Sequence, residues 1–315
     1  MATSAERHGN FLVLSADAKT TLWSSKTSTP GSYAVLQPRG VLVLYTPSGQ
    51  GLWSSGSQSR PDYNGDGYTD MALRDANGGF WIYPGTGGTG TSTFGSRYFA
   101  GNGWWRDHWT NAYTTDFNHD GYSDIVGRNR FGDLSLYPGT GRTGTETFGN
   151  PVLIGTGWTT YVDLGFGDIN GDGRTDVIGR DSGGNMWVYA HSGGTGTQAL
   201  NARVLIGNGW GTADWSAFRV GDLNNDNKAD ILGQRTNGRL YLYPNASSDD
   251  ALRFASPSVV GEGWWPGEWS PYVSDPDNDG VPEQVGVTRT GELYGFFAAG
   301  RTFLGIGLTG YDVIF

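Results

Sequence analysis

Clusters of acidic and amide side chains recur along this chain at spacings that suit a metal ion. In "GDINGDGRTDVIGR", residues 167–180, Asp168, Asn170, Asp172 and Asp176 lie within nine residues, and an apolar segment follows at once. Carboxylates this close repel one another unless a cation lies among them. Because Ca²⁺ takes about 6–8 oxygen ligands from alternating loop positions, positions 1, 3, 5 and 9 of this loop suit it.

The same loop occurs five times. The copies begin at Asp62, Asp116, Asp168, Asp222 and Asp275, so their starts are 54, 52, 54 and 53 residues apart. A fixed period of this length is typical of a repeat architecture. The predicted ligands at positions 1, 3, 5 and 9 are Asp62, Asn64, Asp66 and Asp70; Asp116, Asn118, Asp120 and Asp124; Asp168, Asn170, Asp172 and Asp176; Asp222, Asn224, Asp226 and Asp230; and Asp275, Asp277, Asp279 and Glu283.

Position 6 of the loop is expected to adopt a positive φ that permits a sharp turn. It is glycine in the first, second, third and fifth copies, and Asn227 occupies it in the fourth copy. An Asx-rich turn without metal is the alternative, but five copies that keep the same positions favour a structural Ca²⁺ in each, up to five in all. The fifth copy departs most, with Pro276, Pro282 and Glu283, so a bound ion is least expected there.

Each repeat contains four short segments rich in β-branched and aromatic residues, separated by strong turn formers. In the third repeat they are "TDVIGR", "NMWVYA", "RVLIG" and "SAFRVGD". This pattern predicts an all-β fold, a five-bladed β-propeller of four-stranded blades with a small N-terminal β segment. The C-terminal "GYDVIF" resembles the strand before an acidic loop, so residues 311–315 are predicted to complete the first blade and close the ring. An open solenoid is the alternative.

The loop D-x-N-x-D-G-x-x-D, followed by an apolar strand, resembles the FG-GAP/VCBS family of calcium-binding propeller repeats. "TFG" at Phe94–Gly95 and Phe148–Gly149 carries the same resemblance. It covers about four fifths of the chain, residues 58–315, and it implies a calcium-binding propeller. The loops lack the Glu at position 12 that completes an EF-hand.

Tryptophans cluster in one segment of each repeat and suggest a sugar-binding surface. Nine of the 13 Trp residues lie in four equivalent segments, which are "GNGWWRDHW", "GTGWTTY", "GNGWGTADW" and "GEGWWPGEW". An exposed indole can stack on a sugar ring while nearby polar groups bond its hydroxyls. The segments are similar to blade segments of the tachylectin-2 group, five-bladed lectins that bind N-acetylated sugars. The predicted sugar-binding residues are Trp104, Trp105, Trp158, Trp210, Trp264, Trp265, Asn102 and Asn208. Packing between blades is the alternative role for these tryptophans.

Residues 1–57 form a predicted second unit, separated from 58–315 by the polar "SSGSQSRP". "NFLVLSADAKTTLWSS" and "GVLVLYTPSGQGLWSS" resemble subdomains of bulb-type (monocot mannose-binding) lectins. That family's motif Q-x-D-x-N-x-V-x-Y keeps Gln37, Val43 and Tyr45, but Arg39 and Val41 replace its acid and amide. The mannose sites are therefore expected to be lost. The segment is predicted to pack on the propeller or on another protein chain, and a plain β-hairpin extension is the alternative.

Composition excludes several classes of function. The net charge of −10 disfavours a nucleic-acid partner, and the absence of Cys removes disulfides and thiolate sites. No run reaches the roughly 18 apolar residues of a membrane helix. The N-terminus shows no signal peptide, as in a mature secreted chain. Sixteen of the 31 acidic residues lie in the five loops, so one divalent cation per loop would cancel the excess charge.

Catalysis is not expected. The four histidines, His8, His108, His119 and His191, lie at non-equivalent positions, and solvated side chains are expected for His119 and His191. Carboxylate pairs could serve a hydrolase, but the metal pattern already accounts for them. The sequence therefore predicts a secreted, calcium-stabilised carbohydrate-binding protein, as a lectin or the glycan-targeting module of a larger protein or complex. The alternative is a non-catalytic scaffold for protein interactions, and a glycan-acting hydrolase is less favoured.

Overall fold

A computed structural model describes residues 2–5, 10–14, 21–25, 27–36, 42–49, 51–54, 60–248 and 251–315. These residues form short strands joined by turns, with single 3-10 turns at Gly90–Ser92, Gly144–Glu146, Trp158–Thr160 and Gly196–Gln198. In these ranges no helix is long and apolar enough to cross a lipid bilayer. The predicted all-β class is confirmed.

The N-terminal part contains two three-stranded antiparallel sheets. One consists of β1 (Ala2–Ala5), β2 (Phe11–Leu14) and β3 (Thr21–Ser24), and the other of β4 (Tyr33–Leu36), β5 (Leu42–Tyr45) and β6 (Gly51–Ser54). The second sheet repeats the first after about 30 residues. Residues 37–41, which include Gln37, Arg39 and Val41 of the mannose motif, lie outside the described ranges, as do residues 55–59 of the predicted domain boundary. The boundary stays a prediction.

Five four-stranded antiparallel sheets follow, one for each repeat. The first contains β26 (Asp312–Ile314), β7 (Met71–Arg74), β8 (Phe80–Tyr83) and β9 (Tyr98–Gly101). The second contains β10 (Trp109–Thr115), β11 (Asp124–Asn129), β12 (Leu134–Tyr137) and β13 (Val152–Gly155). The third contains β14 (Tyr161–Gly167), β15 (Asp176–Asp181), β16 (Met186–Tyr189) and β17 (Val204–Gly207). The fourth contains β18 (Trp215–Gly221), β19 (Asp230–Arg235), β20 (Arg239–Tyr243) and β21 (Ser258–Glu262), and the fifth β22 (Trp269–Ser274), β23 (Glu283–Thr288), β24 (Leu293–Phe297) and β25 (Gly300–Gly305).

The order of strands places two kinds of connection at each end of a sheet. Each acidic loop leads into a second strand, and a Gly/Thr-rich segment, here called the arm, joins the third and fourth strands of the first three sheets. Because neighbouring strands are antiparallel, the acidic loops and arms share one end of the sheets, here the loop end. The turns between second and third strands and the tryptophan segments lie at the other end, here the tryptophan end.

The last strand belongs to the sheet of the first repeat. β26 pairs with β7, with Asp312 opposite Arg74 and Ile314 opposite Ala72. This is the pairing that the C-terminal sequence predicts. It gives the first repeat the strand that its own sequence lacks and covers an edge of β7 that would otherwise be unpaired.

Residues of the first strands of all five sheets line one cavity of about 300 Å³. β14 contacts β10 and β18, β18 contacts β22, and β26 contacts β10. Apolar clusters lie between successive sheets; one of them joins Val126 and Leu134 of the second sheet to Leu164 and Val177 of the third. The core is thus divided among the sheet junctions, since each sheet buries both faces against its neighbours.

Buried polar side chains also tie each of the first four sheets to the next. Arg74 Nη1 donates to the carbonyl of Trp109, and Arg128 Nη1 donates to that of Tyr161 at 2.7 Å. In the next two sheets Arg180 and Gln234 donate in the same way to the carbonyls of Trp215 and Trp269. These four residues occupy one repeat position, and sequence reasoning missed them. The recurring "GR" or "GQ" of the second strand could have indicated Arg128, Arg180 and Gln234.

Candidate metal loops and tryptophan junctions

The acidic side chains fold their own loops by accepting main-chain hydrogen bonds. In the third loop Asp168 accepts from the N–H groups of Gly171, Asp172 and Gly173 at 2.7, 3.1 and 2.7 Å. The amide oxygen of Asn170 accepts from Asp172 N–H at 2.8 Å. These bonds hold the side chains of positions 1 and 3 against the main chain of one turn. Among the described residues only the fifth loop places three carboxylate oxygens within 4.8 Å of one another.

The carboxylate at position 9 joins the loop to the start of the arm. Asp176 accepts from Ile169 N–H at 3.0 Å and from His191 N–H at 2.8 Å. The equivalent pairs of donors are Tyr63 and Gly85 for Asp70, Phe117 and Gly139 for Asp124, and Leu223 and Asn245 for Asp230. Position 9 therefore has a structural role in four loops beyond any metal contact.

Two positions of each loop have left-handed backbone. The expected positive φ at position 6 is confirmed, from 79° at Gly173 to 91° at Gly280, and Asn227 adopts 65°. Position 4 is also left-handed and was not predicted. It is Gly65, His119, Gly171, Asn225 and Asn278, with φ between 57° and 76°. Glycine and asparagine tolerate this conformation best, so the composition of position 4 was the available signal.

Buried negative charge accumulates in the loops. Burial, and then the neighbouring carboxylates, raise the pKa of Asp168 to about 7 and that of Glu283 to about 8. Burial is also the main reason that the pKa of Asp70 rises to about 8 and that of Asp230 to about 6. Such shifts mean that the fold holds these carboxylates ionised at a cost in free energy. A cation bound among them would remove that cost.

The fifth loop fits a hard cation, although its sequence made it the least expected of the five. Asp275, Asp277 and Glu283 each offer an oxygen, and these oxygens lie within 4.8 Å of one another. Glu283 Oε2 is buried without a hydrogen-bond partner. Arg60 contacts the same loop, with its Nε 3.0 Å from Asp275 Oδ2, so one positive charge already lies beside this cluster. An all-oxygen donor set suits Ca²⁺ better than a transition metal.

The loops are linked to one another through position 8. Thr175 Oγ1 donates to the carbonyl of Asp116 at 3.0 Å, and Ala229 N–H donates to that of Asp168 at 2.7 Å. Ser123 N–H donates to the carbonyl of Asp62, and Thr69 Oγ1 to that of Asp275. In the fifth loop this position is Pro282, which has no N–H. Four of the five loops are therefore hydrogen-bonded directly to the preceding one.

Four of the six tryptophans predicted to stack on sugars are buried. Trp104, Trp158, Trp210 and Trp264 are 4–7% exposed. Each packs against an aromatic ring of the next sheet, with centroids 4.7 Å apart for Trp104 and Tyr137 and 4.8 Å for Trp210 and Tyr243. The expectation of exposed indole faces is wrong for these four, because they fill the junctions between sheets. Packing between blades, the alternative role of these tryptophans, agrees with their buried position.

Glycine in the second strand makes room for these rings. A Cβ at Gly233 would lie 2.6 Å from Trp215 and 2.8 Å from Trp210, closer than real Cβ contacts. Gly127 and Gly286 lie against their tryptophan pairs in the same way. In the first sheet Leu73 occupies this position, and its junction carries Leu308 in place of tryptophan; both leucines are buried in one cluster. A smaller junction residue is thus matched by a larger strand residue.

Trp105 and Trp265 are exposed, at 51% and 54%. Each rests on the turn between the second and third strands of the preceding sheet, where a Cβ at Gly78 or Gly238 would lie 2.9 Å from its indole. An open depression of about 670 Å³ beside Trp105 is lined by Ala76, Trp105, Arg106, Asp107, His108 and Arg130. Neither Asn102 nor Asn208, both exposed, belongs to this lining.

An arginine accompanies each exposed tryptophan. Arg130 and Arg289 occupy the same repeat position, and their N–H groups donate to the carbonyls of His108 and Glu268, both at 2.8 Å. The other three junctions carry neither Trp nor Arg at these two positions; the pairs there are Thr159 and Ser182, Gly211 and Thr236, and Thr309 and Ala76. Two junctions thus share a tryptophan and an arginine that packing of the fold does not require.

His119 and His191 are buried, at 3% and 5% exposure, so the expectation of solvated side chains is wrong. Their rings lie edge to face with centroids 4.8 Å apart. Burial lowers the pKa of His191 to about 4 and that of His119 well below its usual value. His119 lies at position 4 of the second loop and His191 at the start of the third arm, which the fold brings together. His8 lies outside the described residues.

The N-terminal segment contacts the second and third acidic loops. Tyr45 Oη donates to the carbonyl of Asp120 at 3.2 Å, and Gly51 lies so close to His119 that a Cβ would be 2.4 Å from its carbonyl oxygen. Gly173, at position 6 of the third loop, lies against the indole of Trp53. The first of the two predicted alternatives, packing on the repeat domain, is the one that these contacts support.

The sequence pattern of the FG-GAP-like repeat family matches residues 62–127, 116–179 and 168–233. Together these matches span residues 62–233, more than half of the 315 residues. No curated protein matches the chain in sequence.

The chain is similar to many solved structures, of which three follow. An Agrocybe aegerita lectin that recognises non-reducing terminal N-acetylglucosamine is 16% identical at a TM-score of 0.42, with 95% of this chain and 94% of the lectin covered. The TcdB2–TccC3–Cdc42 complex contains a chain that is 13% identical at a TM-score of 0.41, and TcdB2–TccC3 one that is 11% identical at 0.42. These two cover 96% of this chain but only 17% and 19% of their own. All three TM-scores are below 0.5.

Proposed function

The chain belongs to the family of FG-GAP-like repeat proteins, and we propose that it is a secreted, calcium-stabilised, non-catalytic carbohydrate-binding protein. Its five sheets form a closed five-bladed propeller in this proposal, which the pairing of β26 with β7 supports. It acts as a lectin or as the glycan-targeting module of a larger protein or complex.

Calcium is the proposed ion of the five acidic loops. The residues at positions 1, 3, 5 and 9 would hold it, and the bound ion would supply positive charge that offsets their repulsion. The raised pKa values of Asp168 and Glu283 and the unpartnered oxygen of Glu283 support this assignment. Calcium modules of extracellular proteins bind at about 10⁻⁴–10⁻³ M, so a loop of this kind is suited to a calcium-rich exterior.

The observation that carries sugar binding is the pairing of an exposed tryptophan with an arginine at two of five equivalent junctions. At Trp105 the indole face is open on one side and is surrounded by Arg106, Asp107 and Arg130. A sugar ring presents an apolar face to stack on such an indole and hydroxyls to bond to such side chains. The second junction offers Trp265 with Glu268 and Arg289. Two weak sites on one molecule gain avidity on a multivalent glycan surface.

A glycan array tests this proposal, run with the wild type at millimolar calcium and again with a chelator. We expect one glycan class to be retained by the wild type, and we expect retention to fall by at least about tenfold in Trp105→Ala and Trp265→Ala if each indole contributes about 1.4 kcal/mol or more. Their melting temperatures should stay near that of the wild type, because the indoles are half exposed.

Thr159→Ala is the matched control, since Thr159 occupies the position of Trp105 in another junction. If the double variant with Trp105→Ala and Trp265→Ala still binds glycan, the carbohydrate site does not lie at these junctions. If a folded wild type retains no glycan at millimolar calcium, the alternative of a protein-interaction scaffold is favoured instead.

A further inference from the structure

A small pocket lies at the loop end, apart from the exposed tryptophans at the other end. It has a volume of about 170 Å³ and lies between the second and third sheets. Its lining comes from the second acidic loop, β12 and β13 of the second sheet, Arg174 of the third loop, the third arm and the N-terminal β6. It includes no acidic side chain among the described residues. No other junction can form the same pocket, since His119 and His191 have no histidine at the equivalent positions of the other repeats.

Three nitrogen groups define the polar part of the pocket. His119 is 97% buried and its Nε2 has no hydrogen-bond partner, which is costly unless something in the pocket bonds to it. Arg174 Nε is also buried without a partner, while Nη1 of the same guanidinium pairs with Asp172 Oδ2 at 3.3 Å. His191 Nδ1 accepts from Gly193 N–H at 3.0 Å, so the neutral ring carries its proton on Nε2 and can donate there.

The remaining walls are mostly hydrocarbon. Phe117, Leu136, Val152, Ile154 and Ala199 supply them, with Leu52 of the N-terminal segment. An apolar cavity of about 150 Å³ is large enough to bind benzene. This pocket therefore has room for a molecule of about that size with one small polar group. Its polar groups can donate to an acceptor on such a molecule.

We propose that the pocket binds a small, mostly apolar molecule that ends in a carboxylate. The hydrocarbon part lies against Phe117 and Leu136, and the carboxylate accepts from Arg174 Nε and the histidine Nε2 groups. A carboxylate satisfies several donors at once and bonds to a guanidinium more strongly than a neutral acceptor does.

The N-terminal segment closes one side of the pocket. Gly51 and Leu52 belong to its lining, and the contact of Gly51 with the His119 carbonyl leaves no room for a side chain. The pocket is therefore built by three separate parts of the chain, and a molecule bound in it would contact both the N-terminal segment and two repeats.

Titration calorimetry with benzoate tests the proposal, using the full chain at saturating calcium and toluene as the probe without an acceptor. We expect benzoate to bind at one site per chain, and toluene at least about tenfold more weakly, as is typical for loss of a charge-assisted hydrogen bond. Arg174→Gln should weaken benzoate by a similar factor, and Ala199→Leu, which fills the pocket, should abolish binding of both probes.

Arg142→Gln is the matched control, because Arg142 is an exposed arginine of the second arm and should leave benzoate binding unchanged. Melting temperatures identify any variant that fails to fold. For the wild type, nuclear Overhauser effects between benzoate protons and the His119 and His191 rings locate the probe without mutation. The proposal would be overturned if the folded wild type does not bind benzoate, or if benzoate contacts residues outside the pocket.

Discussion

The two ends of the sheets are stabilised in different ways. At the tryptophan end, buried rings fill the junctions, as with Trp210 against Tyr243 and Gly233. At the loop end, the buried groups are carboxylates such as Asp168 and Asp176, whose ionised forms burial disfavours. The tryptophan end is packed by side chains alone and requires no ion. The loop end has excess negative charge that a cation would balance. The stability of the two ends should therefore respond to different variables.

The same repeat also shows how a junction changes without loss of packing. Three junctions bury a tryptophan against glycine in the next sheet, while the junction to the first sheet has Leu308 and Leu73. The smaller junction residue is paired with the larger strand residue, so the two positions compensate each other in part. Core packing of this kind tolerates substitutions that keep the total volume.

Truncating a buried indole should have the largest effect on stability. We expect Trp210→Ala to lower the free energy of unfolding by about 3–5 kcal/mol, as is typical for Trp in a core, and to do so equally with calcium and with chelator. Chemical denaturation under both conditions measures this. A loss under about 1 kcal/mol, or one seen only without calcium, would contradict the division between the two ends.

Placing tryptophan at the leucine junction should destabilise the protein less than loss of a buried indole. A second substitution should relieve this destabilisation. Leu308→Trp should destabilise by about 1–3 kcal/mol through overpacking against Leu73. Adding Leu73→Gly should recover most of that loss, because the pair then has the Trp–Gly form of the other junctions. A double-mutant cycle checks this, and simple additivity of the two substitutions would show that they do not pack together.

Removing one ligand should affect only the calcium-dependent part of stability. Asp172→Asn should reduce the bound calcium by about one ion and lower the stabilisation by calcium by about 1–2 kcal/mol at an ion concentration near ten times its dissociation constant. With chelator the stability should change little, because the loss of one repelling charge is offset by the loss of the ion pair between Asp172 Oδ2 and Arg174 Nη1, which lie 3.3 Å apart. Asp214→Asn, an exposed acid at the tryptophan end, is the control and should change neither quantity.

Acidification should reduce the stabilisation by calcium. Burial raises the pKa of Asp70 and Glu283 to about 8 and that of Asp168 to about 7 in the folded protein, above the unfolded value near 4. The metal-free fold therefore takes up protons more readily than the unfolded chain and gains stability as pH falls from about 9 toward 4. Calcium needs the ionised carboxylates, so its affinity falls over the same range.

The measurement is the difference between melting temperatures with calcium and with chelator, from pH 9 to pH 5. We expect this difference to decrease steadily. The buried His119 and His191 have lowered pKa values and cost stability as pH falls below about 6.5. Because they do so with or without calcium, their contribution cancels in the difference. A difference that is constant across the range would mean that these carboxylates are not ligands.

Sequence pattern was sufficient wherever a repeat position has the same role in every copy. The period gave the acidic loops, the positive φ of Gly173 and Asn227, and the strand that β26 adds to β7. Pattern did not separate the two adjacent tryptophans of "GWW", because Trp104 and Trp105 differ only in which side of the junction they face. Their burial depends on Gly127 and Gly78, which belong to different parts of the chain.

Contacts between repeats were also beyond the sequence. His119 and His191 meet only because the second loop and the third arm lie at the same end of neighbouring sheets. Gly51 and Trp53 lie on two acidic loops because the N-terminal segment and the loops fit together in the folded protein. The sequence of neither part shows this fit. In both cases the residues are far apart in the chain, and no repeat relates them.

Calcium titration followed by thermal unfolding tests the central claim most directly, that the loop end has negative charge which a cation balances. Starting from chelated protein at pH 8, we predict that the melting temperature rises with calcium between about 10⁻⁴ and 10⁻² M, the range around the dissociation constants of extracellular calcium modules. Equilibrium dialysis should then find up to five ions per chain. An unchanged melting temperature with no bound calcium at saturation would contradict the account.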